Sequence, residues 1–152
     1  MGDILIRRAQ PDEAGTLTEL SMRAKASWGY DEAFMARCRP ELTITPEKMS
    51  TWKIWVADCA GEIVGMAALA GDYPDAELED LMVEPSFQGH GLGAMLMDVL
   101  LEECRRRCYK SIGLDADPNA EPFYQKLGFS TVRVARSGFI PGRLLPRMVR
   151  TI

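Results

Sequence analysis

Gln88-Gly89-His90-Gly91-Leu92-Gly93 places three glycines in five residues, where an extended apolar run (Leu78 to Val83) gives way to a helical one (Met95 to Cys104). Glycine has no side chain and tolerates positive φ, so the segment leaves a row of backbone N–H groups bare. At the positive end of a helix dipole such a row is a cradle for phosphate. Glycine at a helix start costs roughly 1 kcal/mol against alanine. Three together need a reason, either close approach of a ligand or a tight turn that demands positive φ.

Two phosphate ligands do not fit. Gly89, Gly91 and Ala94 match a degenerate dinucleotide pattern, G-x-G-x-x-A. That pattern leaves its strand at once and comes early in a βαβ unit, whereas here Glu84-Pro85-Ser86-Phe87 intervenes and strands of hairpin character come before. A nucleoside-triphosphate loop needs Gly-Lys-Ser/Thr, and Gly93 is followed by Ala94.

The elements that must position this loop follow from periodicity. Asp3 to Arg8 reads as a strand, and Pro11-Asp12-Glu13 opens a helix carrying Leu17, Leu20 and Ala24 at helical spacing. Ser27-Trp28-Gly29-Tyr30 interrupts it. A second helix is expected from Asp31 to about Arg39, ending before Pro40, and a short one starts at Thr45-Pro46-Glu47. Trp52–Asp58 and Ile63–Leu69 form a hairpin around Ala60-Gly61-Glu62, and Ala76–Val83 is the next strand. After the glycine loop, Leu92, Met95, Leu96, Val99, Leu100 and Cys104 recur at helical spacing, with Asp98, Glu102 and Arg105 opposite. Lys110–Leu114 is a short strand, and Asp117-Pro118-Asn119 caps a helix that ends at Leu127-Gly128. Phe129–Ala135 and Leu145–Ile152 are the last strands. This order predicts a mixed α/β sheet with helices on both faces, in a single domain spanning 1–152.

Composition narrows the function. A net charge of −4 argues against general nucleic-acid binding. No apolar run approaches the roughly 20 residues that span a bilayer, so no membrane role is expected. The start is read as neither a signal peptide nor a myristoylation site, since Ile6 stands where Ser/Thr would be needed. Cys38, Cys59, Cys104 and Cys108 form no CxxC pair and His90 is the sole histidine, so no metal is expected. The cysteines read as reduced thiols, hence a cytoplasmic protein.

Leu81-Met82-Val83-Glu84-Pro85 followed by Gln88-Gly89-His90-Gly91-Leu92-Gly93-Ala94 resembles the acetyl-CoA signature of the GNAT (Gcn5-related) N-acetyltransferase superfamily, Gln/Arg-x-x-Gly-x-Gly/Ala, met at Gln88, Gly91 and Gly93. Asp117-Pro118-Asn119 through Phe123-Tyr124 to Gly128-Phe129 is similar to the family's Asn…Phe-Tyr…Gly-Phe segment. The two motifs stand in the family's order, and the resemblance covers nearly the whole chain.

The resemblance implies a central, mostly antiparallel seven-stranded sheet, splayed open beyond Val83 between the strands Ala76–Val83 and Lys110–Leu114. Coenzyme A would lie with its pyrophosphate on the N–H groups of Gln88, Gly89, His90, Gly91, Leu92, Gly93 and Ala94. Its amide-bearing arm would pair with the backbone of Leu81, Met82 and Val83. Asn119 reads both as a helix cap and as a cofactor contact. The implied reaction moves an acetyl group from acetyl-CoA to a primary amine by direct attack in a ternary complex. Tyr124 is the expected general acid, a phenol protonated at neutral pH. Glu79, then Glu77, is the expected base. At a period of two they share a face with Leu81 and Val83, while Asp80 points the other way. His90 is read as a loop residue whose backbone matters. The loops around Trp28-Gly29-Tyr30 and Gly138–Arg147 are the implied walls of the acceptor pocket, where Arg143 or Arg147 could hold an acceptor carboxylate. A homodimer follows only from family habit. Small metabolites, amino acids, polyamines, antibiotics and protein N-termini all stay open as acceptors. A non-catalytic coenzyme A-binding sensor is the alternative, against which Tyr124, Glu77 and Glu79 speak.

Overall fold

The computed structural model describes residues 2–152, so Met1, where the expected domain begins, lies outside them. Seven strands form one sheet: β1 (Ile4–Arg8), β2 (Lys53–Cys59), β3 (Glu62–Ala70), β4 (Asp75–Val83), β5 (Ser111–Asp115), β6 (Ser130–Arg136) and β7 (Leu144–Thr151). Their order is β1-β2-β3-β4-β5-β7-β6, and every neighbouring pair is antiparallel except β4 with β5. This is the mixed, mostly antiparallel sheet that was expected.

Helices cover both faces. α4 (Leu92–Arg106) packs across β2, β3 and β4, and α1 (Ala14–Ala26) with α2 (Glu32–Leu42) covers the opposite face. The short helices α3 (Pro46–Thr51) and α5 (Glu121–Lys126) lead into β2 and β6. On α4, Leu92, Leu96 and Leu100 are fully buried beside Met97 and Cys104. Met95, expected on that stripe, is 40% exposed, because the buried arc extends round the other side of the helix, to Met97 and Leu101. The helix can lie close because Gly65 of β3 sits under it: a Cβ there would be 3.0 Å from Leu96 Cδ1.

α2 runs on through Pro40, where a stop was expected. Proline removes one N–H near the helix end, but the extra turn carries Leu42 into a buried cluster with Met35 and Cys38 at helical spacing. Among the described residues, no helix is long and apolar enough to cross a membrane.

Two irregularities of β4 set up the site. First, its parallel pairing with β5 stops at Glu77↔Gly113, so the sheet splays from Leu78 onward rather than beyond Val83. Second, the register against β3 jumps from Ala68↔Asp80 to Leu69↔Leu78, which leaves Glu79 as an unpaired bulge residue. A bulge inverts the alternation. Ala76 and Leu78 before it, and Leu81 and Val83 after it, all pack towards α4. Glu77 therefore lies on the same side as Asp80 and Met82, facing α1 and α2, and does not share the face of Leu81 and Val83. The strict period of two failed here because a two-for-one residue had been inserted into it.

Candidate active site

The glycine loop descends from β4 through a tight turn at Pro85–Phe87 and enters α4 with Gly91 as its N-cap. Gly89 and Gly91 have φ of 81° and 78°, a left-handed backbone that side chains rarely adopt. A Cβ on either would meet nothing within 4 Å, so these two glycines face open space. Gly93 differs: a Cβ there would be 3.0 Å from Phe123 Cζ, so its smallness serves packing of α4 on α5. The first intrahelical bond runs from Met95 N to Gly91 O at 3.1 Å, which leaves the N–H groups of Leu92, Gly93 and Ala94 without helical partners. No acidic side chain stands in the first turn, so the positive helix end is not neutralised from within. The loop is pinned at its base. Gln88 Nε2 donates to Val83 O at 3.2 Å, and Arg23 grips Glu84 through bonds of 2.7 and 2.9 Å.

From this cradle a cleft of about 430 Å³ runs along the splayed edge of β4. Leu81, Met82, Val83, Leu114, Phe123 and Tyr124 make it apolar in the middle. Beyond Glu77, β4 has no strand partner on that edge, so its backbone amides there are available to a ligand.

The apex of the splay is held by an ion pair. Arg147 of β7 donates to both carboxylate oxygens of Glu77, at 2.7 and 2.8 Å, and to Asp115 at 3.3 Å. The arginine crosses β5 at Gly113, where a Cβ would lie 2.6 Å from Arg147 Nη2, so a side chain there would push the guanidinium out of this position. Glu77 and Arg147, read from sequence as base and acceptor ligand, are thus bound to each other, and neither lines the cleft.

A second cluster ties together the loops that carry Tyr30, Asp117 and Arg143. Asp117 accepts from Lys25 at 2.7 Å, from the Tyr30 hydroxyl at 2.9 Å and from Asn119 Nδ2 at 3.0 Å. The Tyr30 oxygen accepts in turn from Asn119 at 3.0 Å and from Arg143 at 2.6 Å. Tyr30 stacks on Phe34 at 4.1 Å, and Arg143 covers both rings. Burial alone would raise the Asp117 carboxyl, but Lys25, the Asn119 N–H and Tyr30 together hold it below the ordinary aspartate range. The Tyr30 phenol is pushed up to about 12, by burial first and then by Asp117. Tyr30, Asn119 and Arg143 therefore satisfy one another behind the cleft wall, and none of them lines the cleft, whereas Trp28, Lys25 and Asp117 do. His90 is exposed and also off the lining.

Two groups stand out inside. Tyr124, 7% exposed, packs edge-on against Phe123 and Phe129, and its phenol is raised above the usual value by burial first, then by Asp80 and Asp117. Asp80 lines the cleft, yet its Oδ2 is sealed from solvent and accepts no hydrogen bond from the described residues. Burial pushes its pKa up to about 7, with Glu79 and Glu41 adding to the rise and Lys48 opposing it. Glu79 stands at the exposed lip, its carboxyl raised by desolvation first and then by Glu77. Strict alternation turned Asp80 away from the site. The legible signal was the slip of apolar residues from even positions (Ala76, Leu78) to odd ones (Leu81, Val83), which marks a bulge.

The family model for the acetyltransferase (GNAT) domain matches residues 17–138. Among curated relatives, a glucosamine 6-phosphate N-acetyltransferase of Trypanosoma brucei brucei is 39% identical over 85 residues, 51% of this chain and 57% of the relative. Serotonin N-acetyltransferase 2 (chloroplastic) of Oryza sativa subsp. japonica is 39% identical over 82 residues, 51% of this chain and 41% of the relative. The chain spans about half the length of the curated relatives it matches. In fold it is similar to a GCN5-related N-acetyltransferase from Rhodopseudomonas palustris (TM-score 0.85, 22% identity, 100% of this chain and 98% of that one). It is likewise similar to the PaiA N-acetyltransferase of Thermoplasma acidophilum in complex with coenzyme A (TM-score 0.83, 16% identity, 99% of both chains). With the splayed sheet, the glycine cradle and a family match over most of its length, the chain belongs to the GNAT acetyltransferase family.

Proposed function

We propose that this chain is a single-domain N-acetyltransferase that uses acetyl-CoA to acetylate a primary amine by direct attack in a ternary complex. The observation that carries the reading is the continuity of the cleft, from the bare N–H groups at the start of α4, along the open edge of β4, to Tyr124 and Asp80.

The residues fit coenzyme A. The positive-φ glycines 89 and 91 open onto space, and the unneutralised helix start suits a pyrophosphate. The backbone of Leu81, Met82 and Val83 can pair with the amides of the pantetheine arm as an added strand. When bound, acetyl-CoA supplies the acetyl group as a reactive thioester. Several relatives are named as N-acetyltransferases, and the Thermoplasma protein carries coenzyme A, which supports the same donor here.

The chain's own groups divide the proton work. Asp80, poised near neutral pH, takes a proton from the acceptor ammonium and leaves the amine lone pair free. Its burial and missing partner favour it over Glu79, which is exposed, and Glu77, which is engaged by Arg147. Tyr124, kept as phenol, gives a proton to the departing sulfur. The apolar middle of the cleft holds the reactants together, an orientation effect that can outweigh either proton transfer. Among the described residues lining the cleft, none is Cys, Ser or His, which supports direct transfer over an acyl-enzyme.

The test is thiol release from acetyl-CoA against a panel of primary amines. Amine-dependent release, with acetylated product seen by mass spectrometry, is expected. Tight coenzyme A binding without release for any amine would refute the enzyme.

A further inference from the structure

Five carboxylates line the cleft, from Glu41, Glu79, Asp80, Asp115 and Asp117, against one ammonium, from Lys25. Two of the five have a cation beside them: Asp117 has Lys25 and Arg143, and Asp115 shares Arg147 with Glu77. Glu41, Glu79 and Asp80 have no ion-pair partner among the described residues. The nearest free candidate, Lys48, is turned elsewhere. Its ammonium donates to the Glu41 and Thr43 carbonyls at 2.6 and 2.9 Å and sits over the Trp52 ring.

Three like charges gathered in a partly apolar cleft repel one another, and Lys48 offsets this for Asp80 and Glu79 only through space, without an ion pair. One of them, Asp80, is enclosed with an oxygen that no protein donor reaches. An isolated buried carboxylate of this kind is costly unless a ligand supplies the missing donor. The acids also stand away from the phosphate cradle. At ~3.3 Å per strand residue, Glu79 lies about 13 Å along β4 from Val83, where the glycine loop begins. They belong to the acceptor half of the cleft.

We propose that the acceptor is a di- or polyamine: the nitrogen to be acetylated meets Asp80, while a second ammonium group is held by Glu79 and Glu41. This rests on the acetyl-transfer reading above. A monoamine would leave two carboxylates unpaired, and an anionic amine would meet like charge on every side.

The experiment compares thiol release with spermidine, hexylamine and glucosamine 6-phosphate, in the full chain and in Glu41→Gln, Glu79→Gln and the double variant. Both glutamates are exposed, so the variants should fold, and thermal melts check this. Spermidine is expected to exceed hexylamine at least about tenfold in kcat/KM. The double variant should raise the spermidine KM at least about tenfold while kcat, read above about pH 8 where Asp80 is ionised in both forms, stays within about twofold, since hydrogen-bonded charge contacts are worth that much. KM for hexylamine should not move. A lysine-arginine dipeptide amide also offers a primary amine beside further cationic groups, and its rank against spermidine distinguishes basic peptides from free polyamines as the source. If hexylamine or the phosphate sugar is used as well as spermidine, or if the double variant leaves the spermidine KM unchanged, the proposal falls while acetyl transfer stands. If no amine releases thiol, calorimetry of spermidine on the coenzyme A-loaded protein decides. Binding weakened tenfold by the double variant sustains the dication site without turnover, and no binding overturns it.

Discussion

Replacing Asp80 with Asn removes one charge from the centre of the site at almost constant shape, and its consequences can be worked out in sign and size. An ordinary aspartate titrates at 3.8, whereas Asp80 is pushed up to about 7 in the folded chain, chiefly by burial. Below pH 4 the carboxyl is neutral in both the folded and unfolded chain, and the charge costs nothing. Between about 4 and about 7 the unfolded chain loses its proton first, so stability falls as pH rises through that window. Above 7 both forms are ionised and the full cost is present. A gap of about three on the pH scale corresponds to at most about 4 kcal/mol; relaxation around the charge should leave about 2 kcal/mol. For a chain of this size that is about 4–8 °C in Tm. Asp80→Asn is therefore expected to melt higher than the parent at pH 8.5, with the difference shrinking by about 3–5 °C at pH 5, where roughly 60% of the charge cost has gone. Any fixed cost of the buried amide is the same at both pH values and drops out of the comparison. The same variant should lose about 10²–10⁴ in kcat, together with the rise of activity through pH 7. Scanning calorimetry and thiol release at both pH values measure the two effects. A Tm difference that does not change with pH would refute the raised pKa, and a kcat within a few-fold of the parent would refute the base.

Other perturbations separate the parts of the site. Tyr124→Phe should lower kcat by about 10²-fold or more with little change in coenzyme A affinity by calorimetry; equal kcat values would rule out the acid. Gly91→Ala forces a side chain to φ 78° at the cradle, so coenzyme A should bind about tenfold more weakly and the fold should lose about 1–2 kcal/mol. Gly93→Ala, whose methyl meets Phe123, should cost stability by about 1–3 kcal/mol in urea melts. Arg147→Met unties the apex of the splay and leaves Glu77 unpaired; a loss of about 1–3 kcal/mol is expected, with the acceptor KM raised more than the donor KM. Unchanged stability in Arg147→Met would show that the ion pair does not hold the apex.

Local chemistry accounts for much of what could be read in advance. Three glycines at a strand-to-helix junction have few physical uses, so the cradle and its place before α4 were legible from Gln88 to Gly93 alone. The strand and helix order was legible because apolar period is a local property, and it specified a mixed sheet. Family likeness added the splay, which no single residue carries. Where prediction failed, the cause was non-local. Pro40 stays helical because Leu42 gains a buried site that the tripeptide around the proline cannot reveal. Tyr30, Asn119 and Arg143 have the chemistry of ligand contacts, yet tertiary structure brings Tyr30 and Arg143 from segments far apart in the chain onto Asp117 and its near neighbour Asn119, and they satisfy one another. Glu77 is free in the sequence and bound in the fold, because Gly113 leaves a passage for Arg147.

Family likeness supplied the tyrosine; the sequence by itself determined the cradle end of the cleft, a glycine loop at a helix start and its apolar strand. Those features rest on backbone geometry and periodicity, which neighbours in the chain suffice to set. Only the tertiary structure decided the acidic end. One inserted residue at Glu79 turned Asp80 into the cleft and Glu77 onto Arg147. Which carboxylate is left buried and unpaired depends on strand register and on partners more than thirty residues away.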